Sequence, residues 1–240
     1  MRLNKILFLF FLFFTYVIIG SDFNLPLDTL LKNRMINKDH AQLFSTVLVQ
    51  DDQGRIKPFH TLSSEIIRKI SRKERVYGQG HVQIVLGMTL DPLLWQIIPI
   101  IKVSHPDVLS VLNTDKNLIS FVDFFDKQNT YILTPYVEMA YAKKPIDRTK
   151  FDKSIIEVDE RVNICSMLFS NQLIKIFPSK ESISAPWSFD ISMQVPGLDS
   201  IKTSSFKDLY RNVVYTSFSD NDWQTSNAMI DYIKQHQQKY

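Results

Sequence analysis

Apolar residues recur along this chain mostly at the spacing of a helix and only briefly as strand-like runs. The longest regular stretch is Lys150–Leu173. There Phe151, Ile155, Val158, Val162, Cys165 and Phe169 return at intervals of four and three, lining one face of a helix of about six turns. Glu157, Glu160, Arg161 and Lys175 fall off that stripe or beyond it. His81–Leu90 reads as a short helix. Asp91-Pro92 is an N-cap with proline at the first helical position, and Leu93, Leu94, Trp95, Ile97 and Ile98 then predict a helix apolar nearly all round, hence buried. Pro99 stops it, and Ile100–Val103 reads as extended. Ser104 with Asp107, Ser120 with Asp123, Ser205 with Asp208 and Ser219 with Asp222 are capping-box-like starts. Thr134-Pro135 opens a further helix that ends near Lys143-Lys144-Pro145.

Strand-like runs are few. Val47–Gln50 and Arg55–Phe59 flank Asp51-Asp52-Gln53-Gly54, the composition of a hairpin turn with a bulge. Pro58 lacks an N–H and ends the second arm. Thr61 is placed to cap the helix that follows, whose apolar stripe is Leu62, Ile66, Ile67 and Ile70. Tyr77–Gly80 reads as a loop. Leu173–Phe177 reads as a strand before Pro178, and Ser179–Ser200 as an ordered loop or short strands.

The N-terminus has a different pattern. Arg2 and Lys5 precede the uncharged apolar run Ile6–Gly20, whose 15 residues span roughly 22 Å as a helix, short of a ~30 Å hydrocarbon core. A cleavable signal peptide with Gly20-Ser21 as its small-residue exit is favoured over an uncleaved anchor. The expected organisation is a signal peptide or signal anchor over 1–20, a linker over 21–38 and an exported helical domain over 39–240. The expected fold class is mainly α: a multi-helix domain with a small β-hairpin, behind an N-terminal signal or anchor helix.

Composition narrows the function classes. A net charge of +3, with no basic patch interleaved with aromatics, argues against nucleic acid. Only six glycines occur, and neither GxxxxGK nor GxGxxG is present, so a phosphate-cradling loop is not expected. The single cysteine, Cys165, lies on the apolar stripe, where burial makes a thiol inert. Of the five histidines, His40, His60, His81, His105 and His236, no two stand three or four apart. No metal site built on a local motif is expected, and a site assembled from histidines distant in sequence is left open. The pairs Asp51/Asp52, Asp123/Asp126 and Asp220/Asp222 are accounted for by turns and caps. No serine sits in a GxSxG elbow. Catalytic residues, a metal and a cofactor are therefore not expected in this chain.

Several short motifs resemble a known family. His40-Ala41, Leu48–Asp51, Gly54–Pro58, Thr61–Glu65 and Arg68–Lys73 follow one another as in the extracytoplasmic part of the Bacteroidetes fused ResB/CcsA-type, system II cytochrome c biogenesis proteins. Leu86-Gly87-Met88 leading to Trp95, Ile98–Val103, and Arg161-Val162-Asn163 leading to Ile176-Phe177-Pro178 agree as well. His60 is a departure, since the family usually has Asn there. The resemblance implies an accessory extracytoplasmic part of the machinery that delivers haem and attaches it to cytochrome c. Haem belongs to that family's assembly, and its ligand motifs are absent here, so no haem ligand carries over. The implied partners are a membrane-embedded biogenesis subunit or the remainder of a split fusion, with apocytochrome c a further partner. The implied location is the periplasmic face of the inner membrane. The competing class is an exported helical binding or scaffold protein unrelated to haem. On the first reading, Arg55, Lys57, His60, Arg68 and Arg72 are the candidate interaction residues, because the helix after the hairpin has a basic side opposite its apolar one.

Overall fold

A computed structural model of the chain describes residues 27–179, 185–195 and 202–239. The apolar N-terminal run lies outside the described residues, as do 180–184 and 196–201, which take in much of the stretch read as loop or short strands. The protein is mainly helical, as its periodicity predicts. Ten α-helices occur among the described residues: α1 (Leu27–Asn33), α2 (Lys38–Phe44), α3 (Phe59–Ser71), α4 (His81–Leu90), α5 (Pro92–Ile97), α6 (Pro106–Val111), α7 (Thr134–Ala142), α8 (Lys150–Phe169), α9 (Phe206–Asp220) and α10 (Gln224–Lys239). None of the described helices is long and apolar enough to cross a membrane.

The core is built around α4, which packs against α2, α3, α5 and α8. Every residue from Val82 to Leu90 is buried. Its few polar groups are satisfied internally: Gln83 Nε2 donates to the Ile36 carbonyl at 2.6 Å, and Thr89 Oγ1 to that of Val85 at 2.7 Å. Sequence reasoning placed the all-round buried helix one element later. In α5 only Trp95 is buried, and Leu93 is 54% exposed. A helix of six residues, little more than one turn and a half, lies on the surface and inserts one large side chain. Trp95 inserts against Gly87, where a Cβ would stand 2.4 Å from its Nε1. The Leu86-Gly87-Met88 and Trp95 motifs are thus two sides of one contact.

The long helix α8 directs Ile155, Val158, Val162 and Cys165 into the core, with Phe151 and Phe169 half-buried at its ends. Its start is fixed by a capping box that the sequence reading overlooked. Thr149 Oγ1 accepts from the Asp152 N–H, and Asp152 Oδ2 accepts from the Thr149 N–H. Other caps lie one to three residues from their expected places. His105, not Ser104, caps α6, and Asp222, not Ser219, accepts from the Gln224 N–H at the start of α10. Ser120 stands just ahead of a single 3-10 turn, Val122–Phe124, and its hydroxyl donates to Asp123 within it. Ser205 caps α9 as expected. The stretch read as a linker contributes α1, and Leu31 and Ile36 within it are buried.

Eight short strands form four two-stranded antiparallel ribbons among the described residues, where one hairpin was expected. The expected one pairs β1 (Leu48–Gln50) with β2 (Ile56–Pro58), Val49 opposite Lys57, and Gly54 takes a φ of 81° in its turn. The presumed loop at Tyr77 is a tight hairpin between β3 (Arg75–Val76) and β4 (Gln79–Gly80). Its two central residues, Tyr77 and Gly78, both have positive φ, which matches the twist of the flanking strands. β5 (Ile101–Lys102) pairs with β6 (Leu118–Ile119), and β7 (Ser192–Val195) with β8 (Lys202–Ser205). Phe177 joins Ser188 as a single bridge instead of a strand.

Candidate functional site

The hairpin and α3 are a structural unit set into the core. Val47, Val49, Phe59, Ile67 and Ile70 are fully buried. Helix α3 begins at Phe59, two residues before Thr61, and needs no capping side chain. Its first free amides are taken by the preceding chain: the Phe59 N–H donates to the Val47 carbonyl at 2.8 Å and the His60 N–H to that of Ser45 at 2.9 Å. The outer edge of β1 is covered as well. Gln237 of α10 donates to the Leu48 carbonyl and accepts from its N–H, and the Gln50 N–H donates to the Lys175 carbonyl. That strand edge offers no free row of backbone groups to an added strand.

The candidate cations lie on the outside of this unit, each with an acidic neighbour. Asp51, buried at the turn, accepts from the backbone N–H groups of Gln53 and Arg55 and pairs with the side chains of Arg55 and Lys57. Burial pushes its carboxyl up, but the Arg55 amide and the two cations outweigh that and hold it below the usual carboxylate range. Lys57 also reaches Glu65 at 2.9 Å. Arg68 pairs with Glu74, and Arg72 reaches across to Glu157 of α8 at 3.1 Å. Arg55, Arg68 and Arg72 remain exposed.

One cation off the predicted stripes is structural. Arg161 is 4% exposed. Its guanidinium donates from Nε to the Lys69 carbonyl at 3.1 Å, from Nη1 to the Lys102 carbonyl, and from Nη2 to Glu157 at 2.8 Å. It ties α8 to the end of α3 and to β5. Lys69 is among the last residues of α3, whose carbonyls find no partner within the helix, so Arg161 completes that helix end. Periodicity places Arg161 off the core face of α8, and no local pattern signals that two distant carbonyls await it.

The histidines divide into two sites. His40 is fully buried, with Nδ1 against Asn227 Oδ1 and Nε2 against the Tyr210 hydroxyl, both at 2.7 Å. Its ring also lies against Trp223, with centroids 4.9 Å apart. Amide oxygen only accepts, so Nδ1 carries the proton and the Tyr210 hydroxyl donates to Nε2. Burial lowers the pKa of His40 to about 4, against the opposing pull of Asn227. This network locks α9 and α10 onto α2. On the surface, His60 and His81, distant in sequence, meet edge to face with centroids 4.6 Å apart. Cys165 is wholly buried, and burial pushes its thiol up, as expected for an inert core residue. No group of three or more potential metal-ligating side chains occurs among the described residues. A shallow cleft of about 510 Å³ lies between the end of α1 and α9, lined by Asn33, Arg34, Tyr215, Thr216, Phe218 and Ser219. Arg34 stacks over the Tyr215 ring there, 4.7 Å from its centroid.

No family model matches the chain. The chain is similar to NrfI. Over 136 residues, 56% of this chain, it is 37% identical to Protein NrfI of Wolinella succinogenes. The match takes in 15% of NrfI, so this chain corresponds to a minor part of a much longer relative.

Proposed function

We propose that this protein is an accessory extracytoplasmic part of a system II cytochrome c maturation machinery and acts by protein interaction. The 37% identity with NrfI over 136 residues carries the reading, and the LVQD and GRIKP motifs of the hairpin support it from the sequence side. The structure adds a physical reason for those motifs. Val49, Asp51, Gly54, Arg55, Lys57 and Pro58 build a turn closed by a buried, doubly paired aspartate and a proline-terminated strand that leads straight into α3. On this reading the exposed outer side of the unit, with Arg55, Arg68 and Arg72, meets an acidic surface of a membrane-embedded biogenesis subunit, at the periplasmic face of the inner membrane. Cationic side chains already paired within the protein would exchange partners on binding, so the contact should weaken as salt rises.

Affinity purification of the full chain from its native membrane tests this. Recovery of a membrane protein with many spanning helices and a tryptophan-rich extracytoplasmic segment is the expected result. Recovery of no such protein, at normal expression and in low salt, would overturn it.

A further inference from the structure

We propose that His60 and His81 form a two-imidazole site for a borderline divalent transition ion such as zinc, nickel or copper(II), clamping the start of α3 to the start of α4. Each histidine opens a helix: His60 is the second residue of α3 and His81 the first of α4. Metal–nitrogen bonds of ~2.1 Å put two cis imidazoles on one ion with their centroids roughly 4.6 Å apart at a right angle and roughly 5.3 Å apart at the tetrahedral angle. The observed separation is 4.6 Å. The rings now stand at 86°, and His60 is exposed, so a turn about its broad terminal torsion brings both lone pairs onto one ion.

The donor atoms follow from the hydrogen bonds. Ser63 Oγ lies 3.1 Å from the His60 carbonyl and 3.0 Å from His81 Nδ1. With the Ser63 proton on that carbonyl, which only accepts, His81 Nδ1–H donates to Ser63 Oγ, and in that tautomer the lone pair of His81 sits on Nε2. A ligating imidazole is characteristically fixed through its other nitrogen in this way. Neither His81 Nε2 nor the His60 ring has a hydrogen-bond partner among the described residues. The Arg68 charge, which would oppose a cation, is taken up by Glu74. Two protein donors leave the other coordination positions to water, or to a donor from a bound partner. Such a site goes beyond the maturation role and does not depend on it.

The test is titration of the full chain with ZnCl2 and NiCl2 by calorimetry, and with CuSO4 followed by electron paramagnetic resonance. The wild type should bind one ion, and the copper spectrum should show two imidazole nitrogens. His60→Ala and His81→Ala should each weaken binding at least tenfold. Ser63→Ala, which releases the ring without removing a donor, should weaken it 10–100-fold. His105→Ala, which removes only the cap of α6, should leave metal binding unchanged. Melting temperatures of the metal-free variants establish that each is folded, and the metal-dependent rise in melting temperature seen in the wild type should vanish in the His60→Ala, His81→Ala double variant and persist in His105→Ala. Failure of the wild type to bind one equivalent, or undiminished binding in the His60→Ala, His81→Ala double variant, would overturn the proposal.

Discussion

Arg161→Ala should be among the most damaging single substitutions in this protein. The side chain is 4% exposed and donates to two main-chain carbonyls, those of Lys69 and Lys102, in elements far apart in sequence. Alanine takes the donor away from both carbonyls, which belong to half-buried residues. A hydrogen bond from a charged donor contributes ~1.5–3 kcal/mol, and a stranded buried acceptor costs a similar amount, so losing two costs about 3–5 kcal/mol. The ion pair with Glu157 adds little, because Glu157 is half exposed and keeps Arg72. Against a total stability of roughly 5–15 kcal/mol, this is about a fifth or more of the whole. Arg161→Lys keeps the charge but has one ammonium in place of the fork, reaches one carbonyl at a time, and should lose about half as much. Urea unfolding followed by far-ultraviolet dichroism measures both, with the slope checked for constancy. A loss below about 1 kcal/mol for Arg161→Ala at unchanged slope would refute the assignment of Arg161 as the tie between α8, α3 and β5.

Three further outcomes are expected. Gly87→Ala sets a methyl group 2.4 Å from Trp95 Nε1, and the resulting overpacking should cost about 1–3 kcal/mol in a thermal melt; an unchanged melting temperature would mean that α5 shifts without cost. The folded-state pKa of His40, about 4, lies below its unfolded value near 6.5. The unfolded chain therefore binds the extra proton first, and stability should fall as pH drops from about 6.5 to 4, by roughly 2–3 kcal/mol. In His40→Gln this part of the pH profile should flatten, and a wild-type profile flat over that window would contradict the burial argument. Arg72→Glu faces a new carboxylate against Glu157 and should lower stability by up to about 1 kcal/mol. A double-mutant cycle of Arg72→Ala with Glu157→Ala in urea titrations should return a coupling of up to about 1 kcal/mol, and a coupling of zero would show that the pair is not formed.

Much of the fold was legible because helical periodicity survives wherever one face is buried. The Ile155, Val158, Val162 and Cys165 stripe and the DDQG turn are local signals, and both stand where they were read. Two of the misreadings share a cause, which is that the deciding partner is far away in sequence. Helix α3 starts ahead of Thr61 because Val47 and Ser45 supply its acceptors. Arg161 is buried because Lys69 and Lys102 lie beside it. Helix α5 is exposed because a neighbouring helix, α4, already fills the centre, and hydrophobicity without length did not distinguish them. The pairing of His60 with His81 follows from the packing of α3 on α4, which no spacing rule in the sequence reports.

The proposed role rests most directly on whether cytochrome c maturation needs this protein. Deletion in the native organism, followed by haem staining of its c-type cytochromes and immunodetection of their apoproteins, measures that. The expected result is loss of haem-bearing c-type cytochromes, with apoproteins still exported and with restoration by the full chain supplied in trans. Wild-type levels of haem-bearing c-type cytochromes in the deletion strain would contradict the role.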